Sequence, residues 1–251
     1  MYNRKKSDLI EVFGHSPDDI SVEARTFWNM EACPFIYKKC TKSNHDGSVV
    51  YGTCSVSSKY GDCIICPNRL YADKYAVLRR ISEEVFGGCV DFFMYEEYIK
   101  SRNFSSECIV ALGMNSGKEI KVARSMSMDW VLAKVSGGKL MEYVGIEVQS
   151  IDITGNYRDA WYFYKNISNG DSLDVPSSAH GMNWANVHKR LIPQIIRKGI
   201  VYSKSKLVNH GLYFIVPDIV YQKFEEIIGR DIPLVDYSGS DIVSVHTGFV
   251  A

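Results

Sequence analysis

The sequence predicts an α/β protein, with an α+β mixed sheet flanked by helices and a small cysteine-rich module at the N-terminal end. A strand–turn–strand pattern across residues 128–149 is followed by a helical pattern and a further apolar strand. Five of the seven cysteines lie between Cys33 and Cys66 among Pro, Gly, Ser and Asn, which is typical of a metal-binding module. We assign residues 1–68 to the module and residues 69–251 to the core.

The composition is that of a soluble globular protein, with 46% hydrophobic and 23% charged residues in 251. Lys plus Arg (29) balance Asp plus Glu (29), so a DNA-binding surface would depend on small basic clusters such as Lys189-Arg190 and Arg197-Lys198. The N-terminal residues do not form a signal peptide, and no apolar run predicts a membrane helix. We therefore expect a cytoplasmic protein with reduced thiols and no membrane partner.

Helical and strand patterns alternate along the core. Leu70, Tyr75, Leu78 and Val85 recur at helical spacing before Gly87-Gly88. A helix is predicted from Asn183 to about Tyr202, with a kink at Pro193 because proline removes a helical hydrogen bond. The remaining predicted elements are a short helix over 91–102, strands over 108–112, 119–123 and 212–216, and a helix over 219–228.

The hairpin at residues 128–149 contains the candidate catalytic residues. In its second strand Val144, Ile146 and Val148 share one face, and Glu147 and Gln149 share the other. Asp129 opens the first strand, so the two acids lie on the two arms. Two carboxylates delivered side by side would make a site for a hard divalent metal ion such as Mg²⁺. The alternative is that both acids are ordinary polar positions on an exposed hairpin face.

The strand register decides whether the acids meet. A two-residue Gly137-Gly138 loop gives paired positions that sum to 275, which sets Asp129 opposite Ile146. A sum of 276 sets Asp129 opposite Glu147. We therefore predict an odd-length loop or a β-bulge in this hairpin, with glycine supplying the left-handed conformation that such turns need.

The acid pair and the residue two positions after Glu147 have the layout of the nuclease pattern PD…(D/E)xK, with Gln149 in place of lysine. Together with further boxes in the same order, the chain resembles the NotI and EagI family of type II restriction endonucleases over roughly residues 9–220. The boxes are Glu11-Val12-Phe13-Gly14-His15, Cys33-Pro34-Phe35, Cys40-Thr41-Lys42, Gly52-Thr53-Cys54, Cys66-Pro67-Asn68-Arg69, Asp129 to Val135, Glu147 to Asp152, Gly155-Asn156-Tyr157, Asn183 to Arg190 and Phe214 to Pro217.

The resemblance implies a PD-(D/E)xK restriction-endonuclease-like core in which Asp129 and Glu147 bind catalytic Mg²⁺. Gln149 would replace the usual lysine, and Glu119 falls where the family has a further acid. The implied activity is a double-strand cut at a palindromic, GC-rich DNA site that leaves 5′ phosphates. The implied assembly is a homodimer in a prokaryotic cytoplasm, with a cognate DNA methyltransferase in the same host but not as a stable partner.

The family pattern also implies a structural iron site formed by Cys33, Cys40, Cys54 and Cys66. Four thiolates accept zinc as readily as iron. The spacing Cys63-x-x-Cys66 independently suggests a zinc knuckle, so Cys63 is an alternative ligand. Two alternative functions stay open, namely a nuclease of repair or defence without sequence specificity and a catalytically inactive DNA-binding protein.

Overall fold

The computed structural model describes residues 8–88, 90–101, 106–113, 120–123, 126–166 and 175–228. These residues form two compact units. The first contains the described residues up to Lys74 and those between Ser150 and Val187, and the second contains those between Tyr75 and Gln149 and those from His188 to residue 228. The boundary expected at residue 68 differs from this division, because residues 150–187 pack with the N-terminal part of the chain.

The first unit is built on a three-stranded antiparallel sheet in the order β1-β4-β5. Two short two-stranded pairs, β2 with β3 and β12 with β13, accompany it. Numbered in chain order, its elements are β1 (Leu9–Val12), α1 (Val22–Asn29), β2 (Ala32–Cys33), β3 (Lys38–Lys39), β4 (Thr53–Ser58), β5 (Gly61–Ile64), a 3₁₀ turn (Pro67–Tyr71), β12 (Ile153–Thr154), α4 (Arg158–Asn166), β13 (Gly181–Met182) and α5 (Trp184–Asn186).

Aromatic side chains form much of the core of this unit. Trp161 of α4 is buried and stacks on Trp28 of α1 with 6.1 Å between ring centroids. Its indole Nε1–H donates a 2.8 Å hydrogen bond to the carbonyl of Tyr51, so the ring is buried without an unpaired donor. These contacts explain why α4, which follows the hairpin of residues 128–149 in sequence, belongs to the N-terminal unit.

The second unit contains a five-stranded mixed sheet in the order β14-β11-β10-β7-β6. Strand β7 is parallel to β6 and antiparallel to β10, while β11 is antiparallel to β10 and parallel to β14. Its elements are α2 (Ala72–Phe86), β6 (Asp91–Met94), α3 (Tyr95–Ser101), β7 (Cys108–Gly113), β8 (Ile120–Ala123), β9 (Met126–Met128), β10 (Trp130–Ser136), β11 (Lys139–Val148), α6 (Ile192–Tyr202), β14 (Leu212–Ile215) and α7 (Asp218–Ile228). The α/β class with a mixed sheet is as predicted.

Two predicted helices differ in detail from the structure. The segment 91–102 was expected to be helical throughout, but Asp91–Met94 forms strand β6 because Phe92 and Phe93 pair with β7. The helix from Asn183 to Tyr202 has its predicted ends, and a π-helical turn at Val187–Leu191 comes directly before Pro193, where we expected an irregularity. No helix among the described residues is both long enough and apolar enough to cross a membrane.

The hairpin of β10 and β11 contains the predicted bulge. Gly137 and Gly138 form a two-residue loop with φ of 56° and 72°, and Ser136 pairs with Lys139. A register shift then brings Lys134 opposite Glu142, so Met141 is the extra residue on β11. From there to the Trp130–Ile146 pair the positions sum to 276, the register that places Asp129 across from Glu147.

Gly145 of β11 provides a test of the packing between sheet and helix within this unit. A Cβ at this position would clash with the Tyr202 hydroxyl of α6 and lie 2.6 Å from Met128 Cε. We expect Gly145→Ala to lower the free energy of unfolding by about 1–3 kcal/mol in urea denaturation.

Gly199→Ala is the matched control. This glycine lies within α6, and a Cβ there would meet no atom within 4 Å. Alanine should therefore leave stability unchanged or raise it by about 1 kcal/mol through helix propensity. Equal stabilities for wild type and Gly145→Ala would contradict the packing described here.

Candidate functional site

Asp129 and Glu147 are tied together by reciprocal hydrogen bonds across the hairpin. Asp129 lies in the bend between β9 and β10, and its Oδ2 accepts a 2.9 Å bond from the Val148 amide. Glu147 Oε1 in turn accepts a 3.4 Å bond from the Asp129 amide. Each carboxylate is thus held by the opposite strand, and the structure brings together the two acids that the sequence singled out.

The two carboxylates differ in their environment. Asp129 is exposed, whereas Glu147 is only 4% exposed on a strand with apolar neighbours. Burial first, and then the negative charge of Asp129, raise the pKa of Glu147 to about 7, with Lys198 acting in the opposite direction. The pair therefore combines a solvent-facing acid with a desolvated one.

Lys198 is the site residue that sequence reasoning missed. It lies on the inward side of α6, and its Nζ forms an ion pair with Glu147 Oε1, with both side chains less than 10% exposed. The sequence indicated it only as part of the basic cluster Arg197-Lys198. A usable signal was present, because Leu191, Lys198 and Tyr202 share one helical face, and a lysine on an apolar face requires a buried partner.

The other predicted site residues are less constrained by the structure. Gln149 lies one residue beyond β11, is half-buried, and donates its backbone N–H to the carbonyl of Ile215 at 2.9 Å. Its position two residues after Glu147 keeps it on the same side of the strand. Glu119 lies outside the described residues.

No protein-family model and no curated protein matches this chain.

The acid pair fits a divalent cation by the chemistry of its donors. Asp129 and Glu147 provide hard carboxylate oxygens, and their mutual repulsion, seen in the raised pKa of Glu147, is what a bound cation relieves. Among the described residues, no group of three or more His, Cys, Asp or Glu side chains is arranged to hold a metal ion. Two protein carboxylates suit Mg²⁺, which usually keeps several waters.

Cys33 and Cys66 of the first unit interact electrostatically with each other and with Cys40 and Cys54. Burial first, and then the nearby Cys66 and Cys33, raise the pKa of Cys40 to about 11. Cys54 is also affected by Cys66 and Cys33, after burial as the main cause of its raised pKa. All four thiols are free. These are the four cysteines that the resemblance implied, and their assignment as metal ligands stays a prediction.

Backbone N–H groups point at these sulfurs. Cys40 Sγ accepts a 3.4 Å bond from the Lys42 amide, and the amides two and three residues after Cys33 and Cys66 act to lower the pKa of those thiols. The Gly14 amide acts in the same way on Cys54, whose Sγ–H donates to the Gly52 carbonyl at 3.3 Å. Bonds from amides to sulfur favour thiolate over thiol, because they stabilise negative charge on sulfur. Four sulfurs are the donor type that iron and zinc prefer, but in this structure they are not arranged around a single metal position.

Cys63 has a different environment. Burial alone raises its pKa to about 12, with no contribution from another thiol. Its Sγ–H donates to the adjacent carbonyl of Ile64 at 3.6 Å. The geometry favours the set without Cys63, although Cys63 and Cys66 have the tighter spacing.

We expect any metal ion held by these thiols to be lost from Cys40→Ser and kept in Cys63→Ser. The reason is that Cys40 interacts with Cys66 and Cys33, whereas burial alone acts on Cys63. Elemental analysis of purified wild type and both variants measures the metal per chain. Metal lost from Cys63→Ser and kept in Cys40→Ser would reverse the assignment.

The raised pKa of Glu147 predicts a pH dependence of stability. In the metal-free protein the folded chain keeps the proton to about pH 7, while the unfolded chain releases it near the ordinary value of 4.5. Between these values the native state binds more protons, so Glu147 contributes stability that is lost as pH rises.

Urea denaturation of metal-free protein between pH 4.5 and pH 8 measures this contribution. Glu147→Gln removes the titrating group and should flatten that part of the profile. Identical profiles for wild type and Glu147→Gln would refute the shift.

Proposed function

We propose that this chain is a Mg²⁺-dependent endonuclease of the NotI and EagI type that makes double-strand cuts at a palindromic, GC-rich DNA site. The observation that carries the proposal is the pairing of Asp129 and Glu147 across a bulged hairpin, in the register that the PD…(D/E)xK pattern requires. The five-stranded mixed sheet with its accompanying helices supports a PD-(D/E)xK core.

Each site residue has a role in this chemistry. Asp129 and Glu147 would hold Mg²⁺, which when bound polarises a phosphate oxygen and lowers the pKa of a bound water. The Asp129 and Val148 amides keep the two carboxylates in place before any ligand arrives. The amide of Gln149 can orient water but brings no positive charge to the phosphate. Cleavage would leave 5′ phosphates on the products.

The thiol cluster supports a structural role for the module. Cys54 is on β4, Cys33 ends β2, and Cys66 directly precedes the 3₁₀ turn, so one iron or zinc ion would cross-link three separate segments. Such a unit gains folding free energy from the metal. We assign the metal to bracing, with any DNA contact by neighbouring lysines secondary to it.

The biological setting follows from the proposed reaction. A homodimer with two-fold symmetry presents one active site to each strand of a palindrome. Host DNA with the same site needs protection, so we expect a DNA methyltransferase encoded nearby in a prokaryotic host, with both enzymes in the cytoplasm. These assignments depend on the nuclease activity.

Cleavage of a long DNA of known sequence tests the proposal. With Mg²⁺ the purified full chain should give discrete bands with 5′ phosphates. A smear would indicate a nuclease without sequence specificity, and intact but bound DNA would indicate an inactive DNA-binding protein.

We expect Glu147→Gln and Asp129→Asn each to lower the cleavage rate by about 10³-fold or more, because each removes one of the two charged donors to the metal. Asp159→Asn is the matched control, since Asp159 is an acid on α4 with a side chain 71% exposed. Cleavage by Glu147→Gln at the wild-type rate would refute the site.

A further inference from the structure

Lys198 is a charged side chain at a position where charge is costly. Its side chain is 9% exposed, and its Nζ contacts Glu147 Oε1. A lysine in such surroundings is retained when a buried anion compensates it. A well-packed apolar residue would often give a protein of equal or greater stability, so the buried pair calls for a role beyond stability.

The groups that act on Glu147 are few and come from two sides. Asp129 approaches from the bend before β10, while Lys198 and Tyr202 approach from α6. Of these, Lys198 carries the positive charge. The Tyr202 side chain lies one helical turn after Lys198 and is 2% exposed, and its hydroxyl makes no hydrogen bond within the described part of the chain. Helix α6 thus brings a cation and an unpaired hydroxyl to the inner face of β11.

Position 149 lacks the cation that nucleases of this pattern usually have there. A lysine two residues after the glutamate would stand on the same side of the strand as Glu147. Negative charge increases on the phosphate during hydrolysis, and a fixed cation stabilises it in a way that a neutral amide does not. The end of β11 therefore lacks the positive charge that the pattern places there, and Lys198 already contacts Glu147 nearby.

We propose that Lys198 supplies from helix α6 the positive charge that Gln149 does not supply from the strand. Lys198 is a positioning residue that acts through Glu147: it holds this carboxylate and brings an ammonium group beside the acid that would bind the metal ion. The inference rests on the proposed nuclease function. The positive charge of the pattern's lysine would then come from a residue forty-nine positions later in the sequence, since 198 − 149 = 49.

Relocating the charge tests this idea. Lys198→Met keeps much of the side-chain volume and removes the charge. Lys198→Met combined with Gln149→Lys returns one positive charge to the site from the strand. Lys139→Met is the matched control, because Lys139 is an exposed lysine at the tip of the hairpin. Thermal unfolding of each full-length variant identifies any that fails to fold.

Single-turnover cleavage at saturating Mg²⁺ is the first measurement. We expect Lys198→Met to be slower by about 10²-fold or more, with Lys139→Met near wild type. Adding Gln149→Lys should recover at least about tenfold of that loss. A purely structural lysine would give no recovery, because Gln149→Lys does not rebuild the packing around position 198.

Mn²⁺ binding without DNA is the second measurement, made by calorimetry. Removing a cation beside Glu147 should tighten Mn²⁺ binding by about threefold or more in Lys198→Met, although this variant cleaves more slowly. Weaker binding would indicate a collapsed site and overturn the inference, as would normal cleavage by Lys198→Met or a folded double variant with no recovery. If wild type cuts no DNA, the proposed function and this inference both fail.

Discussion

A carboxylate buried among apolar strands is the constraint on which the second unit depends. Glu147 lies between Val148 and Ile146, whose side chains are themselves buried, so water does not solvate its charge. The Asp129 amide and the Lys198 ammonium replace that water. Glycine at position 145 makes room for Tyr202 beside them. The hairpin register, the inward face of α6 and the missing Cβ of one glycine all follow from this single desolvated acid.

Local pattern was sufficient to predict the hairpin and its register. Alternation of apolar residues along β11 identified the polar face, and the parity of the Gly137-Gly138 loop showed that an even loop alone misaligns Asp129 and Glu147. The need for a bulge was predictable from the sequence. Its position at Met141 was not, because any exposed residue near the tip can be the extra one. Sequence also predicted the ends of the helix that finishes at Tyr202, because the periodicity of apolar residues is a local signal.

Features that depend on distant contacts were not predictable in the same way. Lys198 meets Glu147 from fifty-one positions further along the chain, since 198 − 147 = 51, and no spacing rule connects a strand to a later helix. The assignment of residues 150–187 to the first unit depends on Trp161 reaching Tyr51. The separation of Cys63 from the other thiols was also hidden, because sequence spacing records proximity along the chain and the sulfur environments are set by folding.

The bulge at Met141 lies between the tip of the hairpin and the end that contains Asp129 and Glu147. On the loop side of the bulge, paired positions sum to 275, and on the side of the acids they sum to 276. The extra residue therefore compensates for the even-length loop. Removing Met141 would straighten β11 and still leave Asp129 opposite Glu147, since the residues on the site side keep their partners. The tip can therefore vary by insertion or deletion of whole residue pairs, which makes it a natural point for grafting a peptide tag without moving the acids.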